Sequence, residues 1–219
     1  MAEYGCDELL LATLACSSVA YALAILVSMK LAFLPLIPFA IVLWFFRDPE
    51  RTGPQEPDTL LAPADGTVTD IMEVDEFEFI QGNAVRIGIF LSPLNVHVNR
   101  APCAGIVRSV VFKAGEFLPA YNPKAPERNE SITLGLELPD AMRIQVKQVS
   151  GILARRIICD VKLGETLSRG QRYGMIKFGS RTELYIPANS VDKILVSLGD
   201  KVKGGESVCC RLVADRVIK

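Results

Sequence analysis

From Leu9 to Ser28 the chain runs for twenty residues without a charge. A bilayer core is crossed by a helix of about 20 apolar residues, so this run reads as a membrane-spanning helix. After Met29-Lys30 a second uncharged run, Leu31 to Phe46, is only 16 residues long and contains Pro35 and Pro38. It suits a short second span, a re-entrant piece or an interfacial segment. Trp44, Phe45 and Phe46, followed by Arg47, form the aromatic and basic pattern of a membrane-interface anchor. Glu3, Asp7 and Glu8 stand where a signal peptide would carry positive charge, which argues against a cleaved leader. The competing reading is a buried helical hairpin of a soluble protein. Arg47 and Arg51 at the far end place the C-terminal domain on the cytoplasmic side.

Half of the 219 residues are hydrophobic and the mean hydropathy is +0.29, the excess lying near the N-terminus. A net charge of -1 offers no basic face for nucleic acid. Six cysteines (Cys6, Cys16, Cys103, Cys159, Cys209 and Cys210) form no C-x-x-C pair, and there is one histidine. That argues against a tetrahedral zinc site, so no metal is expected. Scattered cysteines fit a reducing compartment, where they pack as small core residues.

Residues 48 to 57 hold three prolines and read as an irregular linker. From Leu60 the pattern changes to short β runs. Asp65-Gly66 is a strong turn pair opening a strand, and further strands are expected at Ala84–Leu91, Gly105–Phe112, Ser131–Leu138, Met142–Val149 and Leu153–Cys159. Ala114 to Asn129, rich in Pro, Ala and charge, reads as a mobile loop over a site. Residues 161–170 and 196–205 share the pattern x-x-Leu-Gly-acid-x-aliphatic-x-x-Gly about 35 residues apart, as two similar hairpins would. The expected fold is therefore mainly β. It is a sandwich or half-barrel with hairpin repeats like those of lipoyl and biotinyl domains, preceded by a hydrophobic helical membrane segment.

Between the two repeats lies Lys177-Phe178-Gly179-Ser180-Arg181. Glycine permits unusual backbone angles, and a serine oxygen beside a strained peptide bond can attack its carbonyl carbon if a base takes the proton. A Gly-Ser pair by itself is usually only a turn. His97 alternates with Val96 and Val98, and on a strand it shares a face with Asn95 and Asn99. Asp65, His97 and Ser180 supply the acid, base and nucleophile types of a triad. Each also has a plain structural reading: an Asx turn, a hydrogen-bonded histidine, a turn serine.

As a set, Phe46-Arg47-Asp48-Pro49, Ala62-Pro63-Ala64-Asp65-Gly66, Phe90-Leu91-Ser92-Pro93 with His97 and Pro102, Asn129-Glu130 and Phe178-Gly179-Ser180 resemble phosphatidylserine decarboxylases, above all the short single-domain bacterial and archaeal form. The resemblance implies a pyruvoyl-dependent proenzyme. Residues 1–47 would be a membrane anchor and 48–219 a catalytic domain, cut between Gly179 and Ser180 into a β chain of 1–179 and an α chain of 180–219. Ser180 would attack the carbonyl of Gly179, and β-elimination and hydrolysis would convert residue 180 into a covalent pyruvoyl group. That ketone would form a Schiff base with the serine amine of a phospholipid, and decarboxylation would give phosphatidylethanolamine and carbon dioxide. Asp65 and His97 map onto the assisting acid and histidine. Many members have two histidines three residues apart, whereas here Arg100 takes the second place and cannot be a base near neutral pH. Either His97 serves both steps, or Asp65 or water serves one.

Arg100, Lys124 and Arg181 are candidate cations for the lipid head. The partners implied are a phospholipid and the membrane, with the two chains of one precursor forming a heterodimer and higher oligomers left open. Two other readings compete. One is a membrane-anchored lipoyl- or biotinyl-like module, for which Lys177 would be the carrier lysine. The other is a membrane serine hydrolase using Ser180, His97 and Asp65.

Overall fold

The computed structural model describes residues 3–152, 156–177 and 180–213, in two compact units, Met1–Pro49 and Glu50–Lys219. In the first unit, α1 (Cys6–Leu26) has no buried residue, and its 21 residues make it long and apolar enough to cross a membrane. A shorter apolar helix, α2 (Leu36–Phe45), begins behind Pro35. Proline is tolerated at a helix start because its missing N–H would have had no partner there. Beyond α2, the Arg47 guanidinium lies 4.2 Å from the centre of the Trp44 ring, a cation–π contact.

The second unit is β, as expected. Its strands are β1 (Thr59–Leu61), β2 (Gly66–Glu76), β3 (Gly82–Leu91), β4 (Val98–Arg100), β5 (Gly105–Lys113), β6 (Ser131–Glu137), β7 (Arg143–Val149), β8 (Ile157–Cys159), β9 (Thr166–Leu167), β10 (Arg172–Ile176), β11 (Ser180–Pro187), β12 (Val191–Ile194), β13 (Lys201–Val202) and β14 (Val208–Leu212). The expected strand Leu153–Cys159 is seen from Ile157; residues 153–155 lie outside the described residues. The segment 114–129 is not wholly irregular, since it closes on one helical turn, α3 (Ala125–Arg128).

Eight strands form one antiparallel sheet in the order β13-β2-β3-β11-β7-β6-β5-β9, and two three-stranded sheets, β1-β14-β12 and β4-β10-β8, complete the unit. The large sheet reads alike from both ends about β11 and β7, where Leu184 faces Val146. The same β-bulge interrupts both arms, between Val68 and Asp70 and between Val107 and Ser109. The repeated Leu-Gly-acid turns occupy equivalent places. The Gly164 N–H donates to the Val107 carbonyl and the Gly199 N–H to the Val68 carbonyl, each at 2.8 Å, with φ at +83° and +89°. Glycine is required there because a side chain disfavours that region.

A second duplication underlies the first. Ala62-Pro63-Ala64-Asp65-Gly66-Thr67-Val68 matches Ala101-Pro102-Cys103-Ala104-Gly105-Ile106-Val107. The copies clasp each other reciprocally: the Leu61 N–H donates to the Pro102 carbonyl and the Arg100 N–H to the Pro63 carbonyl, both at 2.9 Å. The unit is thus two copies of one motif about a pseudo-twofold axis. The copy built from β4–β10 is inserted into the other between β3 and β11. Its apolar centre, including Ile87, Ile89, Leu134, Leu136, Ile144, Val146, Leu184 and Ile186, is fully buried between the arms.

Candidate functional site

Ser180 opens β11 at the point where the inserted copy rejoins the host copy. It pairs with Leu91, the last residue of β3, and β11 then runs on between β3 and β7. The pseudo-symmetric position is the tight 138–142 connection between β6 and β7, in which the Leu138 N–H donates to the Met142 carbonyl at 2.8 Å. In the host copy that connection is opened to admit the insertion, and Ser180 sits at its re-entry. Its side chain is fully buried, and its Oγ has no hydrogen-bond partner among the described residues. An unpaired buried hydroxyl costs stability and calls for a reason. Gly179, the other half of the expected cleavage point, lies outside the described residues.

His97 is buried just before β4. Its carbonyl accepts the Ile176 N–H at 3.2 Å, four residues upstream of Ser180. Its Nδ1 lies 3.0 Å from the Asn95 carbonyl oxygen. A carbonyl only accepts, so Nδ1 carries the proton and Nε2 is the basic nitrogen. Asn99, on the same face of the chain as His97, donates from Nδ2 to Thr182 Oγ1 at 3.0 Å and accepts from Gln148 Nε2 at 2.8 Å. Thr182 lies two residues beyond Ser180 on β11, on the same face. The Asn99–Thr182 bond therefore ties β4, which follows His97 directly, to β11 two residues beyond Ser180. Asn99 Nδ2 also lies 3.5 Å from the Pro63 carbonyl, which ties in the turn that carries Asp65.

Asp65 is buried and is not a simple Asx turn. Its Oδ1 accepts the Gly204 N–H at 2.9 Å, and both its oxygens accept from Arg51, Oδ2 from Nη2 at 2.8 Å. A Cβ at Gly66 would fall on the Phe90 carbonyl oxygen, so only glycine lets this turn close onto β3.

The candidate cations separate. Arg181 points away from the Ser180 face, and its guanidinium bonds Glu183 at 2.8 Å, Thr69 at 2.8 Å and Asp70 at 2.5 Å. Burial by itself would raise the Asp70 carboxyl, but the hydrogen bond and charge of Arg181 outweigh it and hold that carboxyl below its ordinary value. Arg100 is buried, with Nη1 donating to the Gly170 carbonyl at 3.2 Å. Lys124 is exposed at the start of α3. The base of the 114–129 segment is fixed beside the site. Buried Asn129 donates to the carbonyls of Leu118 and Ser150, each at 2.8 Å, and Ser150 comes directly after Val149, the β7 partner of Arg181.

Compared with known proteins, residues 39–210 match the family model described as phosphatidylserine decarboxylase. The chain belongs to the phosphatidylserine decarboxylase family. It is 44% identical over 190 residues to a phosphatidylserine decarboxylase proenzyme of Carboxydothermus hydrogenoformans, covering 87% of this chain and 88% of that one. It is 40% identical over 214 residues to one from Chlorobium luteolum, covering 96% and 99%. A third, from Symbiobacterium thermophilum, is 46% identical over 171 residues, covering 78% and 79%.

Within this decarboxylase fold, sequence reading missed Arg51 as the partner of Asp65, and Gln148 and Thr182 as partners of Asn99. Arg51 lies in a proline-rich linker and shows its role only when the chain folds back on Asp65. Gln148 and Thr182 carried one signal, polar side chains at inward positions of strands otherwise rich in aliphatic residues. Among the described residues no group of three His, Cys, Asp or Glu is placed to hold a metal.

Proposed function

We propose that the chain is a membrane-anchored, self-processing decarboxylase acting on the serine head of a phospholipid, phosphatidylserine to phosphatidylethanolamine. The observation that supports it best is Ser180, a buried hydroxyl without a described partner, in a family motif at the re-entry point of the inserted copy. Ser180 Oγ adds to the carbonyl carbon of residue 179 while its proton passes to a base, for which His97 Nε2 is the candidate. The C–N bond breaks as the ester forms. Elimination takes the Cα proton and releases chain 1–179 with a free carboxylate. Hydrolysis of the remaining dehydroalanine then gives a ketone and ammonia. The pyruvoyl group so made supplies a carbonyl that can accept the electron pair left by departing carbon dioxide.

The chain's own residues do the rest. Asp65, fixed by Arg51 and Gly204, holds a negative charge beside the turn. Asn99 and Thr182 tie β4 to β11. His97 Nε2 moves protons, and the buried setting limits access to the single water that hydrolysis consumes. Arg100 and Lys124 are the cations proposed to meet the lipid phosphate or carboxylate. Arg181 was a third, but its three protein partners suit it better to bracing β11. Residues 1–47 serve as the anchor, with α1 in the bilayer and residues 48–219 as the cytoplasmic catalytic domain, so that the lipid head need not leave the surface.

The competing modules fit less well. A carrier lysine needs an exposed hairpin tip, and Lys177 is buried; the match of residues 39–210 to a decarboxylase family favours that chemistry over a hydrolase. The test is intact mass of the purified protein. Wild type should give two chains, 1–179 and 180–219, the smaller gaining hydrogen on borohydride treatment, and Ser180→Ala should remain one 24.0 kDa chain. An uncut wild-type chain with full decarboxylase activity would overturn the proposal.

A further inference from the structure

The pseudo-twofold axis carries the Ser180 region onto a second place in the molecule, and that place is a cavity of about 400 Å³. Its walls include Cys103, Ala104, Leu138, Met142, Arg169 and Leu212. The equivalences are set by backbone bonds. The Leu212 N–H donates to Asp58 as the Ile176 N–H does to His97, and the Val213 N–H donates to Ser190 as the Lys177 N–H does to Arg156. Ala104 therefore stands for Asp65, Met142 for Ser180, Arg169 for Gly204, and Leu212 and Val213 for Ile176 and Lys177. At these positions the nucleophile and the acid have become apolar residues.

Its charge is inverted as well. In the host copy an acid projects and is neutralised by Arg51. In the inserted copy a half-buried cation projects, and Arg169 donates only to neutral oxygens: the Pro54 carbonyl at 2.7 Å, the Thr59 carbonyl at 2.6 Å and Thr59 Oγ1 at 2.7 Å. Among the described residues no carboxylate lies within ion-pairing distance of it, and Glu56 and Asp58 act only at longer range. Burial lowers its pKa, which reflects the cost of a charge there without a counter-ion. Asp140, exposed at the mouth, accepts the Met142 N–H at 3.1 Å. Burial pushes the Cys103 thiol up to about 12, so that wall is neutral.

We propose that this cavity is a second, non-catalytic lipid site that takes one aliphatic chain against Cys103, Leu138, Met142 and Leu212, with an anionic head on Arg169. The volume suits a single small ligand, and an anion would complete the partial shell of Arg169 with a charge-assisted bond. The site owes nothing to the pyruvoyl chemistry, so it can be tested in uncut protein.

The experiment is photolabelling of the full chain, as wild type and as Ser180→Ala, in phosphatidylcholine nanodiscs, with a sixteen-carbon fatty acid bearing a diazirine and with the matching alcohol. Both proteins should be labelled by the acid on peptides containing Cys103 or Met142, and the alcohol should label about tenfold less. Ala104→Trp, which fills the cavity, and Arg169→Gln should each reduce labelling about tenfold, with Arg169→Lys restoring most of it. Thermal unfolding identifies any variant that has lost its fold, and the acid-to-alcohol ratio in wild type needs no variant. Labelling confined to residues 6–45, equal labelling by acid and alcohol, or labelling indifferent to both Ala104→Trp and Arg169→Gln in folded protein would overturn the proposal. If Ser180→Ala labels normally while wild type proves to be uncut, the lipid site stands and the self-processing reading falls.

Discussion

Asp65 and Arg181 are both buried charged residues, yet their surroundings assign them opposite tasks. Asp65 is held by a residue from the linker and by a turn of the C-terminal repeat. Arg51→Ala should therefore leave most of the chain uncut, as should Asp65→Asn, and Arg51→Lys should recover part of the cutting, all read as precursor fraction on a denaturing gel. Arg181 ties β11 to β2 through Asp70 and bonds Glu183 on its own strand. Arg181→Ala should cost about 1.5–3 kcal/mol, because Asp70 and Glu183 lose a charge-assisted partner and keep Arg86, Thr69 and Tyr185, while cutting in the folded fraction persists. A carboxyl held below its unfolded value stabilises the fold above about pH 3.9, and that contribution is lost as pH falls through the folded value. Acid unfolding of wild type should steepen below about pH 4, and Asp70→Asn should be less stable at pH 7 and show a shallower fall there. Ser180, His97 and Asp65 were legible as candidates from residue type and motif order, and the structure buries all three. The position of Arg181 was not, since Thr69 and Asp70 lie over a hundred residues away in the chain.

Among the elements, alternation made β3, β5, β6 and β7 readable, and the Leu-Gly-acid turns announced one duplication. The other is harder to see in the sequence because its shared residues, Ala-Pro-x-x-Gly-x-Val, are few and one copy lacks the acid. Their kinship appears in hydrogen bonding rather than in composition. Equivalent turns should respond alike to equivalent changes. Gly164→Ala and Gly199→Ala each force a side chain into the left-handed region, with nothing within 4 Å to clash. Each should therefore lose roughly 1–2 kcal/mol from backbone strain alone, and thermal melts of the two variants should shift by similar amounts. A large difference would mean that the arms are not mechanically equivalent.

For the whole molecule, the insertion explains how one peptide bond could be broken without loss of the fold. The 179–180 bond lies between β10 of the inserted copy, which ends at Ile176, and β11 of the host, which begins at Ser180. The released segment 180–219 would carry β11 through β14. It would remain paired along β11 to β3 over eight register positions and to β7 over five, with β13 on β2 and β14 on β1. Its aliphatic residues Leu184, Ile186, Val202 and Leu212 belong to the common core. Each such side chain contributes about 1.5–3 kcal/mol when buried, and the ladders add directional bonds that water would have to replace. The two chains should therefore co-purify after cutting, elute as one species in native size exclusion, and separate only in strong denaturant. Thermal unfolding should be a single transition, because the arm β13-β2-β3-β11 takes strands from both chains and is joined to the other arm through β11 and β7. Loss of the 180–219 chain in native buffer would show that the pseudo-symmetric sheet is not what holds the cut protein together.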